Sequence, residues 1–89
     1  MKLFSIHCGF YDEEISEGIY EFHVNLPVVA ENIEQAKAEV RLNPVFKMKK
    51  MHVDGIQEIT RVGGYELILK ENRNSETTTK ITNHLHRDF

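Results

Sequence analysis

Two segments near the N-terminus alternate apolar and polar residues, and this period of two is typical of β-strands rather than helices. The alternating apolar residues of segments 2–8 and 20–26 are Phe4, Ile6, Cys8, Phe22, Val24 and Leu26. Side chains two residues apart on a strand point to the same face of a sheet. The pattern therefore predicts two half-buried strands, the first ending at Gly9 and the second beginning near Ile19 or Tyr20.

One amphipathic helix is predicted after the second strand. Asn32 can cap the helix, and Gln35 stands three residues later, where a capping box places a side chain that reaches back. The apolar residues that then recur at helical spacing are Ile33, Ala36 and Val40. Because Pro44 disfavours helical geometry in the residue before it, we expect the helix to end at Asn43. A helix of about three turns is marginal alone, so it needs a sheet to pack against.

Turn signals divide the second half of the chain into short strands. The Asp-Gly pair at 54–55 predicts a turn, and a strand follows at 56–61. The glycine pair at 63–64 predicts a tight hairpin turn, with a returning strand at 65–70. The second half therefore contributes at least one β-hairpin.

These elements come in the order strand, strand, helix, strand, strand. Strands joined by hairpins with one inserted helix indicate an α+β domain, and we predict a mostly antiparallel four- to five-stranded sheet with the helix on one face. Residues 77–82 are rich in β-branched side chains and fit either a fifth strand at the sheet edge or a polar tail. The domain would span 1–71, and 72–89 would add a turn at 72–75 followed by that strand or tail.

The size and net charge of the chain indicate which kinds of molecule it can bind. At 89 residues the chain is one domain, and a chain this small buries too little surface to be very stable alone, so a partner copy would help. The net charge of −3 gives no attraction to nucleic acid or to an anionic membrane. A lone cysteine excludes an internal disulfide, and no apolar run is typical of a signal peptide or a membrane span. We expect a cytoplasmic homodimer that binds neither nucleic acid nor membrane.

Two short pairs each place a histidine two residues from a carboxylate: Glu21 with His23, and His52 with Asp54. On extended segments each pair shares a face. Together they offer nitrogen and oxygen donors for zinc or another divalent metal, and a histidine could serve as a general base. The alternatives are a cross-strand polar pair, and an Asp54 side chain that bonds its own backbone in the turn. We treat the four as a candidate polar site, without assigning a catalytic residue, a bound metal or a cofactor.

Other reactive side chains fit structural roles better. Cys8 could be a nucleophile, but it shares the phase of the apolar residues, so we expect a buried small hydrophobe. His84 and His86 belong to a polar tail. The outward face of the first two strands carries Ser5, His7, Glu21, His23 and Asn25. We expect that face to be either solvated or a docking surface.

Six short motifs connect the chain with a known family. In chain order they are Met1–Phe4, Gly9–Tyr11, Tyr20–His23, Val28–Ala30, His52–Asp54 and Val62–Tyr65. In this order they resemble the bacterial family called domain of unknown function 1543, over about residues 2–70. The chain departs from the family pattern in having Gly-Phe-Tyr where Gly-Gly-Tyr is usual, Gly63 where Asp is common, and no tryptophan.

The resemblance implies a shape and a set of positions, but no activity. Many members of the family look like two copies in tandem, which implies that a single copy can pair with itself. We therefore favour a non-catalytic interaction or binding domain that self-associates over an enzyme. The alternative is a small enzyme or a divalent-metal-binding protein that uses Glu21, His23, His52 and Asp54.

Overall fold

The fold is an antiparallel sheet with helices on one face. The computed structural model describes residues 1–72 and 77–89, so the turn predicted at 72–75 lies, from residue 73 onward, outside the described residues. The main sheet has the order β2-β1-β3, with strands β1 (Lys2–Tyr11), β2 (Glu21–Ala30) and β3 (His52–Ile59). Both neighbours run antiparallel to β1. The predicted α+β class is confirmed.

The central strand is longer than predicted. β1 does not end at Gly9 but continues to Tyr11, and Gly9 is paired in the ladders on both sides. It pairs with His23 of β2 on one side and with His52 of β3 on the other. Gly9 is therefore an interior residue at which other groups approach the backbone closely, not a strand terminator.

The turn predicted at 54–55 is wrong. Asp54 and Gly55 lie inside β3, at a bulge. Along β1 the consecutive residues His7 and Cys8 pair with Gly55 and Val53, so Asp54 is the extra residue. An Asp-Gly pair favours a turn locally, but the ladder with β1 holds the segment extended and the bulge absorbs the misfit. The strand predicted at 56–61 accordingly starts earlier.

Two helices follow β2, where one was predicted. The predicted helix is α1 (Ile33–Arg41), and the Asn32 side chain accepts a hydrogen bond from the Gln35 backbone N–H as expected. The Gln35 side chain accepts from the N–H of Glu31 rather than that of Asn32. Pro44 does more than end a helix, because it opens α2 (Pro44–Met48), which Asn43 caps. Proline suits a first helical position, where its missing N–H costs nothing.

The core lies between the sheet and these helices. Its buried residues are Phe4, Ile6, Cys8, Ala30, Ala36, Val40, Phe46 and Met51. Cys8 is buried as predicted, and burial, with a smaller effect from the charge of Asp54, raises the pKa of its thiol. Ile33 differs from the expectation, because 52% of its surface stays exposed. The opposite side of the sheet, which we call the open face, carries exposed polar side chains such as His7 and His23.

The last two strands form a sheet of their own. β4 (Arg61–Val62) pairs with β5 (Tyr65–Glu66) around the predicted glycine turn, in which Gly63 has a positive φ of 59°. The returning strand is thus shorter than the predicted 65–70. Residues 77–89 form no strand, so the fifth strand considered at 77–82 is absent from the described part of the chain. The boundaries at 1–71 and 72–89 stay a prediction.

No described helix is long and apolar enough to cross a membrane.

Candidate functional site

The sheet brings all four candidate residues together on the open face. His23 and His52 flank Gly9 on the two neighbouring strands, so their rings stand on either side of the central backbone. Glu21 lies two residues before His23 on β2 and points to the same face. Asp54 is the extra residue of the bulge in β3. Its carboxylate contacts both histidines, and bulges are common next to functional sites.

Each histidine contacts both carboxylates. His52 Nε2 lies 2.8 Å from Glu21 Oε1 and 3.1 Å from Asp54 Oδ1. His23 Nε2 lies 3.3 Å from Glu21 Oε1 and 3.3 Å from Asp54 Oδ2. The two sequence pairs are therefore one cluster, joined across the sheet rather than only along each strand.

Gly9 makes the space that the cluster occupies. A Cβ built on Gly9 would overlap Glu21 Oε1, and it would lie 2.6 Å from His52 Nε2 and 2.7 Å from Asp54 Oδ2. Real Cβ atoms do not approach other atoms so closely. The polar ends thus converge directly over the backbone of the central strand, and any larger residue at Gly9 would displace them.

Neighbouring polar groups orient two members of the site. The Tyr11 hydroxyl donates to Glu21 Oε2 at 3.4 Å, which leaves Oε1 directed at the histidines. His7 stacks on His23 with ring centroids 4.9 Å apart and an interplanar angle of 6°. His7 Nδ1 in turn lies 2.8 Å from Asn25 Oδ1. Partners of this kind fix ring and carboxylate orientation around metal ligands.

Sequence reasoning placed His7 on the outward face but did not count it or Gly9 in the site. A signal was present, because both residues share the phase of that face on β1. What could not be seen was the register, which sets Gly9 between His23 and His52.

The distances suit metal ligands. The donors of a tetrahedral zinc site lie about 3.3 Å apart when each metal–ligand bond is about 2.0 Å long. Three of the four contacts measure 3.1–3.3 Å. Charge-assisted hydrogen bonds are shorter, at about 2.7–2.9 Å, and only the 2.8 Å contact between His52 and Glu21 fits that range. Two neutral histidines with two carboxylates would offer two nitrogens, two oxygens and two negative charges to a divalent ion.

The site is open to solvent. The exposed fractions of the four side chains run from 30% for Glu21 to 47% for His52. An ion held here would keep positions for water or for an exogenous ligand, as catalytic metal sites do and closed structural sites do not.

A groove of about 900 Å³ lies elsewhere, between the end of β2, the junction of α1 and α2, and residues 77–81. Its lining is mainly apolar and hydroxyl side chains, with Glu39 and Lys80 as its charged residues. Unlike the open face, the described lining of this groove brings no histidine together with a carboxylate.

Comparison with known proteins gives a family and no activity. The profile of the family described as Domain of Unknown Function (DUF1543) matches residues 19–69, more than half of the chain. No curated protein and no solved structure matches the chain. The matched segment includes Glu21, His23, His52 and Asp54, whereas His7 and Gly9 precede it.

Proposed function

This chain belongs to the domain of unknown function 1543 family, whose description assigns no activity, and we propose from the site itself that the protein binds a divalent transition-metal ion. The ligands are Glu21, His23, His52 and Asp54. The observation that carries the proposal is that each histidine contacts both carboxylates, with the ends of Glu21, His52 and Asp54 lying over Gly9. Mixed imidazole and carboxylate donors favour Zn²⁺ among common ions, with Mn²⁺, Fe²⁺, Co²⁺ and Ni²⁺ as further candidates.

The position of Gly9 supports a binding role over a merely structural polar network. Glycine inside a strand costs roughly 0.5–1 kcal/mol relative to alanine. Side chains that only hydrogen-bond to one another could do so farther from the backbone of β1. They would not require a residue without a Cβ at position 9. The space over Gly9 lets the ends of Glu21, His52 and Asp54 approach one another above the central strand.

Calorimetric titration of the metal-free protein with Zn²⁺ tests the proposal. We expect saturable heat and a rise in melting temperature, because an ion that binds only the folded state stabilises it by about 2.7 kcal/mol at one hundred times Kd. His52→Gln should weaken binding at least about tenfold, by analogy with losses around metal sites. His84→Gln, a change of the same kind in the tail, should bind like the wild type. No heat and no change in melting temperature with any of the five ions would refute the proposal.

Exposed apolar side chains on one part of the chain support a second proposal, self-association. The hairpin that carries β4 and β5, together with residues 67–70, forms an arm whose apolar side chains are exposed: 59% for Val62, 78% for Tyr65 and 86% for Ile68. The radius of gyration is 15.2 Å, against about 12 Å for a compact chain of this length. We propose that a second copy of the chain covers this arm and makes a homodimer.

Light scattering coupled to size-exclusion chromatography tests the dimer. The wild type should elute at twice the chain mass, and the double variant Tyr65→Ser with Ile68→Ser should shift toward the monomer. Ile19→Ser removes an equally exposed apolar side chain outside the arm and should leave the mass unchanged. A wild-type monomer at micromolar concentration would refute self-association without affecting the metal proposal.

A further inference from the structure

We propose that the open face holds two divalent ions rather than one, with Asp54 as the bridge and His7 as a ligand of the second ion. This inference rests on the proposed metal-binding function and extends it. It starts from His7, which the four-residue site leaves unused although its ring lies against that of His23.

Two sets of three ligands exist on the open face. In one set a donor atom from each of Glu21, His52 and Asp54 lies within 4.8 Å of the other two, and in the other set the same holds for His7, His23 and Asp54. The sets share only Asp54, so with two ions bound the first keeps Glu21 and His52, and His23 serves the second. Each set has at least one histidine and one carboxylate, so each has the donors that a first-row divalent ion uses.

The Asp54 carboxylate is turned so that its oxygens serve different sets. Oδ1 lies 3.1 Å from His52 Nε2, and Oδ2 lies 3.3 Å from His23 Nε2. A carboxylate that offers one oxygen to each side is the bridge found in two-metal sites, whose ions are about 3.5–4 Å apart. Asp54 lies two residues after His52 on the same face of β3, and it is also the extra residue of the bulge.

A hydrogen bond to Asn25 leaves one nitrogen of His7 available as a metal ligand. The amide oxygen of Asn25 can only accept, so the 2.8 Å contact means that His7 Nδ1 carries the proton. His7 Nε2 is then the nitrogen with a lone pair. A ligand histidine whose other nitrogen donates to a fixed acceptor is the usual arrangement around bound metals. Stacking holds the ring of His7 against that of His23, with centroids 4.9 Å apart, and binding of the second ion would turn one ring so that both nitrogens point at the ion.

Charge predicts that the two ions bind with unequal affinity. Glu21 and Asp54 supply two negative charges, which balance one divalent ion. The second ion has no further carboxylate within its set and needs a bound hydroxide, which a metal generates near neutral pH. We therefore expect a tight first ion and a weaker second ion, and a water-derived nucleophile between them of the kind that two-metal hydrolytic sites use.

Equilibrium dialysis of the metal-free protein against Zn²⁺, with metal counted by mass spectrometry, tests the inference. The wild type should approach two ions per chain in two steps, and His7→Gln should stop at one. His84→Gln should keep two. His7 is exposed, so its replacement should leave the circular dichroism spectrum unchanged.

The outcomes separate the two proposals. A wild type that saturates at one ion, or a His7→Gln variant that still binds two, overturns the inference and leaves the four-residue site standing. A wild type that binds none overturns both. With Mn²⁺ as the probe, electron paramagnetic resonance should show spin coupling between two ions in the wild type and the signal of an isolated ion in His7→Gln. An isolated signal in both proteins would also overturn the bridge.

Discussion

The same three strands present two chemically opposite faces, and the contrast is sharpest on β1. Toward the helices, Phe4, Ile6 and Cys8 are at most 1% exposed. On the open face the same strand places His7, Tyr11 and, beneath the cluster, Gly9, and its neighbours add the histidines and carboxylates of the site. The covered face holds the fold together by burying apolar surface. The open face buries little apolar surface and contributes less to stability. We infer that its role is to bind metal ions.

If the faces divide these tasks, the largest effect on stability should come from the covered face. Ile6→Ala should lower the free energy of unfolding of the metal-free protein by about 2–5 kcal/mol, because it leaves a cavity in a fully buried position. For a domain of this size the melting temperature should fall by about 10 °C or more. Zn²⁺ affinity, measured by calorimetry where the variant is still folded, should stay within about threefold of wild type.

Ile19→Ala is the matched control, because Ile19 is 69% exposed and lies outside the arm, so its replacement should cost almost no stability. A loss of zinc affinity in Ile6→Ala as large as that in His52→Gln would contradict the division of tasks between the faces.

Gly9→Ala should separate binding from stability on the open face. The added Cβ displaces the ends of Glu21, His52 and Asp54, which are exposed enough to swing into solvent. The metal-free variant should therefore be as stable as wild type, or more stable by up to about 1 kcal/mol. Zn²⁺ should no longer raise its melting temperature, whereas the wild type should gain about 10 °C or more at saturating metal.

Gly55→Ala on β3 provides the control, since a Cβ there meets nothing within 4 Å. It should bind Zn²⁺ like the wild type. Undiminished binding by Gly9→Ala would show that the close approach over β1 is not what positions the ligands.

The smallest effect should come from an ion pair on the helix side. Lys49 Nζ lies 2.7 Å from Asp12 Oδ2, and this hydrogen bond is the main cause that lowers the pKa of Asp12 below 3.8 and raises that of Lys49 above 10.5. A lowered carboxylate pKa contributes stability above pH 3.8, and that contribution is lost as pH falls through the folded-state value. Lys49→Met should melt slightly below wild type at pH 7.

Melting curves of the two metal-free proteins over a pH series check this prediction. The gap between them should close below about pH 4, because the ordinary pKa of aspartate lies there. Lys47→Met is the control and should show no gap. A gap that persists unchanged at pH 2 would contradict the assignment to Asp12.

The parts of this structure that local sequence signals control were predictable. The alternation in β1 and β2 gave the two strands, and Asn32 marked the start of α1. The errors arose where pairing across the sheet overrides a local signal. Gly9 predicts a strand end, but pairing with β2 and β3 keeps it inside β1. The Asp-Gly pair at 54–55 predicts a turn, but pairing with β1 holds it extended.

The candidate site shows the same limit. His23 and His52 could be chosen from the spacing to their carboxylates, but their convergence depends on a register centred on Gly9. A one-residue slip of either outer strand would turn its side chains to the other face. Asp54 could likewise be chosen from its spacing to His52, but the bulge at Asp54 and Gly55 could not be predicted from a single sequence.

Anomalous diffraction from crystals of the zinc-loaded protein, recorded at the zinc edge, tests the central claim most directly. We predict a strong peak on the open face, about 2.0–2.2 Å from Nε2 of His52 and from oxygens of Glu21 and Asp54, with His23 as a further ligand. A weaker second peak beside His7 would add the proposed second ion. Peaks only on the tail histidines His84 and His86, or no peak at all, would contradict the account.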